Sequence, residues 1–121
     1  MTSADEIPSI VLDQVRDFAR AWASYHGEPS PRDIRVVSTT HRAAAKAIWG
    51  DAVDAPEHQI YLITLKGSFA IPGGPSGEWA ALFAGEQQLS RRPPNVSLTL
   101  RPAEAIPDFR LENLGCAYTI D

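Results

Sequence analysis

The chain has 121 residues, of which 44% are apolar and 21% charged, and its formal net charge is −4 at pH 7. This composition is that of an ordinary globular protein and excludes a disordered or fibrous chain. The length predicts one domain over residues 1–121, and the acidic balance argues against a general affinity for nucleic acid or anionic membranes, which attract basic surfaces.

The N-terminal sequence MTSADEIPSI lacks the basic and then apolar order of a secretory signal. No run approaches the roughly 20 apolar residues needed to span a bilayer. We therefore expect a cytoplasmic protein that makes no membrane contact. Cys116 is the sole cysteine, so neither an intrachain disulfide nor a cysteine-based zinc site can form. We interpret it as a small apolar residue.

The first predicted element is an amphipathic helix over about 8–26. Its apolar residues recur at steps of three and four and therefore share one side of the helix: Val11, Val15, Phe18, Trp22 and Tyr25. Gly27, Pro29 and Pro31 end the helix. Because an exposed aromatic stripe would leave a large apolar patch, we expect it to pack on a sheet.

A short strand and a short second helix follow. The β-branched residues of DIRVVST predict the strand, around 34–37. The sequence HRAAAKAIWG predicts a helix over 41–49, with Thr39 or Thr40 as its cap and Gly50 at its end. Residues 38–41 are a dense cluster of hydroxyls and an imidazole, for which we favour a helix cap over a catalytic role.

The run QIYLITLKGSFAI predicts the clearest strand, over 59–71. Alternate residues form its better core face: Tyr61, Ile63, Leu65, Phe69 and Ile71. The opposite set is mixed in character, which predicts partial cover by the short helix. Gly67 lies within the run and predicts a bulge or a bend.

The C-terminal half is predicted to contain a loop over 72–78, a short helix over 79–89, and a strand over 96–100. A weaker strand over 106–113 contains Pro107, which implies an edge position. The tail after Asn113 is apolar enough to dock on the body. Together the elements predict an α+β fold: an antiparallel sheet of about four strands, with the long N-terminal amphipathic helix packed on one face and a short second helix.

Chemical signatures are sparse. His26, His41 and His58 lack the paired spacing of a metal site. The glycine-rich PGGPSGEW lacks the residues of a phosphate-binding loop, and no local signature joins a nucleophile to a base. We therefore predict no catalytic residue, no metal and no cofactor. Active-site residues converge in space rather than in sequence, so an enzyme stays open as the less favoured class.

Two tryptophans are the strongest candidates for binding. Trp49 and Trp79 lie beside glycine-bearing or loop segments, where such a ring can close a pocket or anchor a contact, although packing remains the simpler interpretation. With Phe83, Arg91 and Arg92 they form the candidate binding set. We favour a non-catalytic binding or regulatory module that contacts another protein. The alternatives are a small-ligand binder or simple enzyme with a pocket between helix and sheet, and an acidic immunity or antitoxin-like protein.

The segments RVVSTTHRAAAKAI, IYLITLKGSF, SLTL and PDFRLEN together carry a resemblance. Over about residues 10–113 the chain resembles small uncharacterised α+β proteins of actinomycetes, for which no activity is assigned. The layout also resembles cystatin and PepSY modules, in which a helix rests on an antiparallel sheet. The resemblance implies a bacterial α+β protein and carries no site residues. The sequence leaves the oligomeric state open, because Pro107 argues for a monomer and an exposed Trp79 would argue for a dimer.

Overall fold

The computed structural model describes residues 7–50, 57–71, 73–74, 76–91, 96–102, 104 and 110–120. The elements in chain order are α1 (Ser9–Tyr25), β1 (Arg32–Thr40), α2 (His41–Trp49), β2 (Gln59–Ala70), β3 (Ser76–Ala84), β4 (Ser97–Arg101) and β5 (Ala117–Thr119). Short 3-10 helices occupy Glu86–Ser90 and Leu111–Asn113. Within the described chain, five strands form one antiparallel sheet in the order β4-β3-β2-β1-β5. The α+β fold with an antiparallel sheet is therefore confirmed, with five strands rather than about four.

Helix α1 covers one face of the sheet with the predicted stripe. The buried residues of this stripe pack against the alternate residues of β2 that were predicted to face the core. Together the two sets are Val11, Val15, Phe18, Trp22, Tyr61, Ile63, Leu65 and Phe69. We call this the α1-side core. Tyr25 does not join it, because the side chain is 60% exposed. The ring of His26 instead stacks on Trp22, with ring centres 4.4 Å apart, so His26 covers the end of the stripe.

The turn after α1 is fastened to a bulge in β2. The predicted bulge at Gly67 is confirmed, because the register between β2 and β3 shifts between Lys66 and Phe69. Glu28 Oε1 accepts a hydrogen bond of 2.9 Å from the N–H of Ser68. A Cβ on Gly67 would lie 2.6 Å from Glu28 Cγ. A side chain at residue 67 would therefore have to displace the glutamate that holds the turn.

Helix α2 packs on the opposite face of the sheet. Its cap is as predicted, since Thr40 Oγ1 accepts a hydrogen bond of 3.1 Å from the N–H of Ala43. At the other end Gly50 has a φ of +96° and donates to the carbonyl of Lys46. The apolar residues around α2 form a second core, which we call the α2-side core: Val37, Ala44, Ala45, Ile48, Ile60, Leu62, Trp79, Ala81, Phe83 and Leu111. The second face of β2 is therefore covered, as expected.

The predicted helix over 79–89 is wrong. Residues 79–84 belong to strand β3, and only Glu86–Ser90 is helical, in 3-10 form. Every side chain from 79 to 84 is buried, because β3 lies between β2 and β4 and faces a core on each side. Such a strand is a continuous apolar run without alternation, which periodicity cannot distinguish from a helix. The predicted loop over 72–78 also extends too far, because β3 begins at Ser76.

The C-terminal segment departs from prediction in part. The expected strand over 106–113 is wrong at its end, where Leu111–Asn113 is a 3-10 helix, while Pro107 lies outside the described residues. The docking of the tail is confirmed, because β5 pairs with β1 and the N–H of Ile120 donates to Ile34 O over 2.8 Å. Cys116 is exposed. Among the described residues, no helix is long and apolar enough to cross a membrane.

Candidate functional site

An indole lies at the surface above the α2-side core. Trp49, the last residue of α2, is 37% exposed, whereas Trp79 is 5% exposed and Trp22 is 1% exposed. The Trp49 ring stacks on Phe83, with ring centres 5.0 Å apart and planes inclined by 4°. Phe83 is buried and belongs to the internal strand β3. Trp49 is therefore held in one orientation on a rigid base while its outer side reaches solvent.

The other predicted binding residues lie elsewhere. Trp79 is buried in the α2-side core and offers no comparable surface. Arg91 is exposed and directly follows the 3-10 helix Glu86–Ser90, whose Leu89 packs in the α1-side core. Arg92 lies outside the described residues. The structure thus brings Trp49 and Phe83 together, and it places Arg91 next to a segment that packs on the opposite face of the sheet.

Two basic residues accompany Trp49 on α2. Arg42, Lys46 and Trp49 are spaced by four and three positions and are all exposed, whereas Ala44, Ala45 and Ile48 between them are buried. We call these three residues the α2 outer face. The helix sequence HRAAAKAIW contains no acidic residue. The α2 outer face is therefore basic in a chain whose net charge is −4.

A nearby ion pair adds little to the stability of the fold. Arg42 Nη1 lies 3.5 Å from Glu57 Oε2, and both side chains are more than half exposed. Surface pairs of this kind are worth about 0–1 kcal/mol, because solvent screens them and ordering the side chains costs entropy. A partner carboxylate could therefore replace Glu57 at Arg42 at small cost to the fold.

Two histidines meet beside the stacked rings. His41 is the first residue of α2, and its N–H donates a 2.9 Å hydrogen bond to the carbonyl of His58, which directly precedes β2. Their ring centres are 5.4 Å apart and the planes are nearly perpendicular, at 87°. The His41 ring also lies 5.2 Å from the ring of Phe83. The histidine pair and the Trp49 stack therefore form one continuous cluster.

The environment of His41 favours the neutral imidazole. Burial lowers the pKa of His41, and the nearby His58 lowers it further. A neutral ring keeps a lone pair that can accept a hydrogen bond or bind a metal. Within the described ranges, no group of three or more His, Cys, Asp or Glu side chains is arranged to hold a metal ion.

The His41–His58 contact was missed by the sequence analysis, which considered only short spacings. The signal that could have found it is that both residues flank predicted elements, one at the start of a helix and one at the start of a strand.

Comparison with protein-family models, curated proteins and solved structures gives no match for this chain. The resemblance to actinomycete, cystatin and PepSY proteins therefore stays a prediction, and the function has to be argued from the geometry.

Proposed function

We propose that this protein is a non-catalytic binding module of the cytoplasm that contacts another protein through the α2 outer face. The observation that carries the proposal is the Trp49 ring, which is exposed yet fixed flat on Phe83. A side chain that is already ordered loses little entropy on binding. Tryptophan and arginine are also enriched among the residues that dominate interface energies. Both types are present on this helix.

The charges on the α2 outer face indicate the chemistry of the partner. Arg42 and Lys46 precede Trp49 along one exposed stripe, which suits an apolar side chain flanked by aspartate or glutamate. The rest of the chain is acidic overall, since the net charge is −4. An acidic partner would be attracted to this face and repelled elsewhere, which favours one binding orientation.

Neither alternative from the sequence gains comparable support. A pocket between α1 and the sheet would need space where Val15, Phe18 and Trp22 pack against the strands, fully or almost fully buried. An acidic immunity or antitoxin-like protein would present a negative surface to a basic partner, and the α2 outer face has the opposite sign. A protein contact at Trp49 is the function for which the geometry gives a specific residue.

The decisive variant is Trp49→Ala, with Tyr25→Ala as its matched control. Tyr25 is an exposed aromatic residue at the end of the other helix, at 60% exposure. Proteins captured from an extract of the source cells by the wild type and each variant would be compared by quantitative mass spectrometry. Each captured protein would then be purified and titrated directly.

We expect Trp49→Ala to weaken binding of at least one purified partner by about 30-fold or more, which corresponds to about 2 kcal/mol. Tyr25→Ala should leave that affinity unchanged. Lys46→Glu should also weaken binding, and wild-type affinity should fall as salt is added. Circular dichroism would verify that each variant is folded. Unchanged partners and affinities for Trp49→Ala would contradict the proposal.

A further inference from the structure

Two imidazoles beside the α2 outer face are placed to share a ligand. His41 and His58 have ring centres 5.4 Å apart at 87°. Their backbones are fixed, because His41 N–H donates to His58 O and the Thr40 hydroxyl caps the helix at His41. We propose that His41 and His58 together bind one divalent transition-metal ion of the Zn²⁺, Ni²⁺ or Cu²⁺ class. The inference does not depend on the proposed protein contact.

The separation of the rings fits this ligand. In a tetrahedral site the metal–nitrogen distance is about 2.1 Å, which places each imidazole centre about 3.2 Å from the ion. Two such rings at a tetrahedral angle have centres about 5.2 Å apart. The observed 5.4 Å agrees with this value. This spacing allows both rings to reach one ion by rotation of the side chains, without movement of α2 or β2.

The pair is also chemically competent and accessible. Neutral imidazole nitrogen is the form of histidine that binds a metal ion, and each of the two rings offers one such nitrogen. His58 is exposed and opens the pair to solvent. Imidazole nitrogen suits Zn²⁺, Ni²⁺ and Cu²⁺, whereas Mg²⁺ and Ca²⁺ prefer oxygen ligands. The site should therefore discriminate between these two groups of cations.

The surroundings limit the strength of binding. Arg42 and Glu57, which follow His41 and precede His58 in the sequence, carry opposite charges that lie 3.5 Å apart. Among the described residues no third ligand completes the site, so water would fill the remaining positions. We therefore expect reversible binding that is weaker than at a structural zinc site, where four protein ligands surround the ion.

The test is a calorimetric titration of the full, untagged chain with ZnCl₂ and NiCl₂, with MgCl₂ as the negative control. The variants are His41→Ala and His58→Ala, and His26→Gln is the matched control because His26 lies at the end of α1. Quenching of tryptophan fluorescence by Ni²⁺ gives a second readout. Trp49 should provide most of this signal, since it stacks on Phe83, whose ring is in turn close to His41.

We expect one equivalent of Zn²⁺ or Ni²⁺ to bind, no Mg²⁺ to bind, and affinity to fall at least about tenfold in each of the two variants. His26→Gln should bind as the wild type does. His58 is exposed, so His58→Ala should fold normally and keeps the test valid even if His41→Ala unfolds. Absence of binding by the wild type at millimolar metal, or unchanged affinity in the His58→Ala protein, would overturn the proposal.

Discussion

Truncating Trp22 to alanine should be the most damaging single change in α1. The indole is 1% exposed. On one side it stacks on His26, and on the other it lies 5.1 Å from the ring of Phe69 in β2. The substitution therefore removes the largest fully buried side chain of the described structure and leaves a cavity between the helix and the sheet.

The magnitude follows from the loss of buried surface and from the cavity. A fully buried tryptophan replaced by alanine costs about 3–5 kcal/mol. For a chain of this length the entropy of unfolding is about 0.25 kcal/mol per kelvin, so Tm should fall by about 12–20 °C. Since a domain of this size is stable by about 5–15 kcal/mol, the variant would lose a large part of its stability.

The assay is urea and thermal unfolding followed by circular dichroism, with Tyr25→Ala as the control on the same helix. Tyr25 is 60% exposed, and surface substitutions away from special features change stability by about 0.5 kcal/mol or less. The contrast between the two variants removes any general effect of losing an aromatic residue from α1. A loss below about 1 kcal/mol for Trp22→Ala would refute the packing of α1 on the sheet.

Two further predictions concern the turn that Glu28 fastens to β2. Gly67→Ala should lower the urea midpoint, because its Cβ would displace Glu28. Gly85→Ala, where the new Cβ would make an ordinary 3.5 Å contact, should change it little; equal losses would contradict the steric argument. Glu28→Gln tests the charge: the Ser68 N–H is the main cause that lowers the pKa of Glu28. The stabilisation that the Glu28 carboxylate gives to the fold is therefore present at pH values above the pKa of Glu28 in the unfolded chain. It is lost as the pH falls through the pKa of Glu28 in the folded protein. The Glu28→Gln variant should be less stable than the wild type at pH 7, and the difference in stability should vanish in acid. A difference that does not change with pH would contradict a role for the carboxylate charge.

Local patterns were enough for most of the fold. In helix α1 and strand β2 the apolar residues recur at a regular spacing over a long segment, and α2 has a threonine cap and a terminal glycine. The ends of each element could therefore be predicted within one or two residues. Strand β3 could not be placed, because its residues are buried on both faces and include alanine and leucine, which favour helices in isolation. Strand β5 has three residues and is too short to give a period.

The sequence predicted two residues of the site but none of its contacts. Trp49 and Phe83 were both candidates, yet their stacking depends on the register that places Phe83 opposite Leu62 in the sheet. Burial of Trp79 depends on the same register, because it fixes which side of β3 faces α2. The pairing of His41 with His58 needs both the helix start and the strand start in place. Such contacts between distant parts of the chain leave no short-range signal.

The sheet contributes to two cores, and β2 and β3 supply side chains to both. Unfolding of either core would therefore disrupt β2 and β3, on which the other core also depends. The two cores should unfold in one cooperative transition. By mass action, a ligand that binds only the folded state raises the free energy of opening for the whole cooperative unit. Binding of a ligand at the surface of α2 should thus slow amide hydrogen exchange in α1, on the far side of the sheet.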